Sequence, residues 1–155
     1  ASLLHKYKVS FGTYNMFGVP SETLEEVWRT VDFNREIKTT YPYGGVFHPF
    51  PGTKIIEDAM VTGYIPSDFS LEYKFNPMKF NNPYEKDRMQ NISCLFYFMC
   101  KSNVVYYLSK GLVKLPPNKL FKLIEKGGSF FARRNTFNVG FWRTFKIGWQ
   151  LRKDI

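Results

Sequence analysis

Two loops carry residue types suited to holding a small ligand. Gly18-Val19-Pro20-Ser21-Glu22-Thr23 follows one β-rich run, and Pro49-Phe50-Pro51-Gly52-Thr53 follows a second about 30 residues later. The chemistry such loops offer is binding, not bond-making. A glycine lets backbone approach a cofactor closely, and a proline stiffens the turn into the next helix. Each loop alone also reads as ordinary helix-start chemistry. The two cysteines, Cys94 and Cys100, lie six apart. A zinc or cluster site needs three or four ligands and a disulfide framework needs more cysteines, so both are expected to be small apolar residues in a helix.

The elements around these loops follow from spacing. Val9 to Phe17 is rich in β-branched and aromatic residues and predicts a strand after a helical tail. Thr23-Leu24-Glu25-Glu26 has the form of a capping box, opening a helix to about Lys38 with Leu24, Val27, Trp28 and Val31 inward. Thr40 to Tyr43 predicts a loop and Gly44 to Phe47 a second strand. Lys54 to Thr62 predicts a short helix closed by Gly63. This order is that of a β/α unit, so the two strands should be parallel neighbours joined by a right-handed crossover. Tyr64 to Pro83 lacks clear periodicity and predicts a covering loop. Beyond Pro83 the pattern is helical: Tyr84 to Cys100, Asn103 to Val113, and Leu120 to Lys126, the last ended by Gly127-Gly128. Ser129 to Lys153 is a closing basic, aromatic segment.

Charge separates the same regions. Residues 1–78 hold 7 Lys/Arg against 9 Asp/Glu, whereas residues 79–155 hold 15 against 4. That excess suits either an anionic surface or a solvated helical bundle. No signal peptide is legible, and the longest mostly apolar run, Ile92 to Met99, is far shorter than a membrane span needs. A cytoplasmic chain is therefore expected, with a peripheral membrane location as the alternative. It opens Ala1-Ser2-Leu3-Leu4-His5 without an initiator Met, in what reads as a helix tail, so it is expected to be a fragment.

Taken together and in order, T-Y-N-M-F-G-V-P-S-E-T-L-E-E, N-R-E-I-K and G-G-V-F-H-P-F-P-G-T resemble the fifth- and sixth-strand region of radical S-adenosylmethionine (SAM) barrels. The likeness is greatest to the group that pairs this barrel with an N-terminal cobalamin-binding domain. The hallmark there is a Gly-Leu-Pro-Gly-Glu-Thr turn, followed one helix and one strand later by Pro-Tyr-Pro-Gly-Thr. The helical run from Tyr84 through Leu115-Pro116-Pro117-Asn118-Lys119-Leu120 also looks like that group's tail. Ser21 replaces the second glycine of the turn, a change expected to be mild beside a helix start. The family's three-cysteine cluster motif is not in this chain.

The resemblance implies an α/β fold: the C-terminal β/α units of a partial (β/α) barrel over residues 1–65, a connecting loop over 66–83 and a basic α-helical extension over 84–155. It implies SAM and a [4Fe-4S] cluster as cofactors, with cobalamin, the cluster being ligated by a missing N-terminal part of the parent enzyme. This chain would supply the adenine side of the SAM pocket. Asn15, Met16, Gly18, Val19, Phe47, His48 and Phe50 are the cofactor-binding candidates that follow. Met16 and Gly18 would pack near the ring, and the backbone of Phe47 to Phe50 would meet its edge. Strand alternation leaves two orientations open for Asn15, toward the ring or away from it, and His48 is a candidate ligand or base with hydrogen bonding in place as the plain alternative. No catalytic residue is expected, Glu22 and Glu26 reading as helix-start charges. The parent would carry out methyl transfer or rearrangement on a hydrophobic substrate, and the chain alone would be inactive.

The competing expectation is a self-contained, non-catalytic binding module with a membrane- or RNA-binding tail. In residues 129–153, Phe130, Phe131, Phe137, Phe141, Trp142, Phe145, Ile147 and Trp149 alternate with Arg133, Arg134, Arg143, Lys146, Arg152 and Lys153. That composition suits an anionic membrane surface. Nucleic acid is weighed below it, and a solvated bundle with snorkelling cations is the plain alternative.

Overall fold

The computed structural model describes residues 1–67 and 83–137. In chain order these form α1 (Ser2–Lys6), β1 (Gly12–Phe17), α2 (Leu24–Glu36), β2 (Tyr41–Val46), α3 (Lys54–Val61), α4 (Pro83–Lys101), α5 (Asn103–Leu112) and α6 (Lys119–Phe137). The chain is thus mixed α/β, with one parallel two-stranded sheet among the described residues. These residues close no barrel.

β1 is shorter than the β-rich run predicts because its first residues are used to end α1. The Lys8 amide returns to His5 O and the Val9 amide to Leu4 O, with Lys8 in a left-handed conformation (φ 54°). β2, in contrast, starts earlier than expected. The Tyr41 amide reaches Phe11 O and the Phe47 amide reaches Phe17 O. Alternation therefore turns the Pro42 nitrogen to the other edge, where its missing N–H forfeits no bond to β1.

α2 opens as the capping box predicts: Thr23 Oγ1 accepts from the Glu26 amide while the Glu26 carboxylate accepts from the Thr23 amide. Its Val27 and Val31 are fully buried, with Leu24 and Trp28 packed beside them. They meet Phe17 from β1, Met89, Ile92, Phe96 and Met99 from α4, and Phe121 from α6 in the main core. Arg35 locks the far end of α2 by donating to Met99 O and, at 2.6 Å, to Asn103 Oδ1. A second, smaller core holds Phe47, Ile56, Ala59 and Ile65.

Gly44 lets α4 lie directly on β2. A Cβ there would come within 2.6 Å of the Phe17 ring and 2.8 Å of the Phe96 ring. Gly127 and Gly128 do not end a helix as expected; α6 runs through them. A Cβ on Gly128 would stand 3.1 Å from the Tyr97 Cβ, so this glycine serves close packing on α4. Tertiary contact overrides the local helix-breaking tendency here. Residues 68–82, within the expected covering loop, and residues 138–155, most of the aromatic tail, lie outside the described residues.

Candidate functional site

β1 and β2 run in register from Gly12 against Tyr41 to Phe17 against Val46. The two motif loops consequently leave the sheet side by side, joined by the 2.7 Å bond from the Phe47 amide to Phe17 O. The period-two geometry of strands then divides the side chains between two faces. Thr13, Asn15 and Phe17 face the helices. Gly12, Tyr14 and Met16 face away, opposite Tyr41, Tyr43 and Gly45.

That second face is open. Tyr14 is 87% exposed and Met16 is 62% exposed. The Tyr14 and Tyr43 rings stack with centroids 5.0 Å apart and planes 10° from parallel. Beside them, nothing lies within 4 Å of where a Gly45 Cβ would sit. The result is an open face with a stacked tyrosine pair, an exposed thioether and bare backbone next to Met16, at the carboxyl ends of parallel strands, where α/β folds place ligands.

The first motif turn is held by its own glutamate. The Glu22 carboxylate accepts from the Gly18 amide at 2.5 Å and the Val19 amide at 3.4 Å. Partial burial pushes its pKa up, opposed by those two backbone hydrogen bonds. Glu26, by contrast, is held below the usual carboxylate range by its bonds from the Thr23 amide and hydroxyl. Glu22 is therefore a turn-tying residue, a role beyond that of a helix-start charge. Gly18 adopts φ 77°, and Ser21 adopts φ 68°. Ser21 is a non-glycine residue in the left-handed region, so this turn carries a conformational cost.

The seven candidate residues divide. Met16 lies on the open face, and Gly18 begins the loop beside it. His48 and Phe50 are exposed on the neighbouring loop, their rings edge-on at 6.1 Å. Val19 packs against the second core, and the Phe47 ring is buried within it, which leaves that segment's backbone on the loop. Asn15 is on the opposite face from Met16: its Nδ2 donates to Tyr43 O at 2.9 Å and its Oδ1 accepts from Asn34. Asn34 carries no motif, yet its spacing from Val27 and Val31 places it on the same inward stripe of α2, where it is buried.

A cleft of about 50 Å³ lies on the helix side between β2, α4 and α6, lined by Gly44, Ser93, Cys94 and Glu125 among others. It has room for a water or two and not for a nucleoside. Burial pushes the Cys94 thiol there up to about 11 and that of Cys100 to about 12, so neither is a nucleophile at neutral pH. Among the described residues, no three His, Cys, Asp or Glu side chains are grouped to hold a metal ion. The residues described here therefore do not fit an iron–sulfur cluster. Comparison with protein-family models, curated proteins and solved structures finds no match to this chain.

Proposed function

We propose that this chain is the adenine-side, C-terminal part of a radical SAM enzyme, its two strands being the fifth and sixth of a partial barrel. The supporting observation is the parallel pairing that brings both motif loops out together beside the open Met16–Gly45 platform. The left-handed backbone at Ser21, where the family turn carries glycine, also favours the reading. Met16, Gly18 and the backbone of Phe47 to Phe50 would hold the adenine, with His48 and Phe50 at the rim. Asn15 would act through the sheet, by fixing β1 on α2.

The cluster would be ligated by a part of the parent outside this chain, and when bound it supplies the electron for SAM cleavage. The parent belongs, on this reading, to the cobalamin-linked group and acts on a hydrophobic substrate by methyl transfer or rearrangement. What this chain's residues do is bind and orient the nucleoside.

The test begins with the encoding DNA. A Cys-x3-Cys-x2-Cys run after a strand should lie upstream in the same reading frame. The enzyme from that frame, reconstituted with iron and sulfide and reduced, should release 5′-deoxyadenosine from SAM. Gly45→Val should raise the KM for SAM at least tenfold with the fold intact. Absence of the cysteine run, or no SAM cleavage by the reconstituted enzyme, sinks the proposal.

A further inference from the structure

α5 presents its most apolar face to solvent. Val104, Leu108 and Leu112 recur at i, i+4 and i+8, and Tyr107 and Gly111 lie on the same side. The turn continues through the Val113, Lys114 and Leu115 amides, which bond Ser109 O, Gly111 O and Leu112 O. Eleven residues on from Val104, Leu115 completes the stripe. Val104 is 68% exposed, Leu108 60% and Leu115 48%. The opposite side of the helix seats it: Ser109 and Val113 are buried, and Val105 and Tyr106 pack on the main core. Asn91 fixes its end, donating to Val113 O at 3.2 Å and Leu115 O at 2.7 Å.

A second stripe follows on α6, where Leu120, Leu123 and Phe131 are exposed at i, i+3 and i+11. Cations flank both stripes. Lys110 and Lys114 lie along one border of the α5 face, and Lys119, Lys122 and Lys126 are exposed on α6. Between Arg88 and Ile124 the chain has six Lys/Arg and no Asp or Glu. Exposed aliphatic side chains bordered by lysines, with no acid from Val104 to Leu123, complement one kind of surface: acyl chains beneath anionic headgroups. RNA would call for stacking aromatics, whereas these positions are chiefly Leu and Val.

We infer that α5 and the start of α6 form a docking face for an anionic phospholipid surface, with Val104, Leu108, Leu112 and Leu115 entering the interface and Lys110 and Lys114 meeting phosphates. Apart from Phe131, this face is distinct from the aromatic segment 129–153, and it does not depend on the SAM proposal.

Flotation of the whole chain with vesicles tests it. Vesicles of phosphatidylcholine with about 30% phosphatidylglycerol should carry the protein at ~50 mM salt and release most of it at ~500 mM, whereas pure phosphatidylcholine should not carry it. Leu108→Glu should abolish flotation with circular dichroism and melting unchanged, because the side chain is exposed. Lys110→Gln and Lys114→Gln should each weaken binding about fivefold. Wild-type chain that stays unbound at low salt, or Leu108→Glu chain that floats as well as wild type, overturns the inference. So does a dimer that Leu108→Glu dissociates in the absence of vesicle binding, which would make the face a protein–protein interface.

Discussion

Asn34 Nδ2 donates a 2.9 Å hydrogen bond to Asn15 Oδ1, so the buried polar centre of α2 is bonded to the middle of β1. The same Nδ2 reaches Thr30 O at 2.8 Å, and Asn34 Oδ1 accepts from the Thr13 hydroxyl. Asn15 passes the connection to β2 through Tyr43 O. A helix and two strands are thus set by one amide pair, which orients the sheet and with it the open Met16 face. Asn34→Leu should cost about 2 kcal/mol, because it takes the donor from the Asn15 oxygen and removes the shortest hydrogen bond of the Thr13 hydroxyl. Asn15→Ala should lower stability by a similar amount, and in the proposed parent enzyme it should weaken nucleoside binding less than Gly45→Val does, since it acts only through the sheet. Urea midpoints for the two variants, with binding measured on Asn15→Ala, check this.

Ser21 occupies a left-handed conformation that glycine adopts without steric cost. Ser21→Gly should therefore stabilise the chain by about 1 kcal/mol and raise its melting temperature by about 3 °C. Thermal unfolding of the variant beside wild type is the measurement. An unchanged or lower midpoint would count against the turn geometry.

Glu22 and Glu26 should move stability in opposite directions with pH. Glu22 has a native pKa raised above the ordinary 4.5, so the folded state binds more protons in the window just above that value, and its contribution to stability falls as pH rises through that window. Glu26 has a lowered native pKa. Its contribution is present in full above 4.5 and is lost as pH falls through the native value. Denaturation midpoints between about pH 3 and 7 should show Glu22→Gln removing the first slope and Glu26→Gln the second.

Cys94 and Cys100 should both resist modification in the folded chain at about pH 8, since their thiols ionise near 11 and 12. A disulfide-exchange reagent should react slowly with native protein and release two equivalents once guanidinium unfolds it. One thiol reacting at the rate of a free cysteine would contradict the burial described on α4.

Adjacent glycines of β2 should respond differently to the same change. Gly44→Ala drives a methyl group into the Phe17 and Phe96 rings and should cost about 2 kcal/mol. Gly45→Ala meets open space and should leave the unfolding midpoint within about 0.5 kcal/mol of wild type. Equal effects at the two positions would mean that the faces of the sheet are assigned the wrong way round.

Much of the local architecture is legible in the residues alone. The capping box at Thr23 and Glu26, the Val27–Val31 stripe and the alternation of strands and helices are local or periodic properties, set by backbone hydrogen bonds and side-chain spacing within one element. They suffice to expect two parallel strands with the motif loops at their ends. Only the tertiary structure decided what depends on contacts between distant residues. It ended α1 with the Val9 amide, started β2 at Tyr41, and carried α6 through two glycines because Gly128 packs closely against Tyr97 of α4. It also turned Asn15 toward Asn34 and buried Phe47 under α3, because a strand shows two faces and its sequence does not say which one the helices will cover. The exposed aliphatic stripe on α5 has the same origin: periodicity marks an apolar face, and packing against α4 determines that a different face is buried.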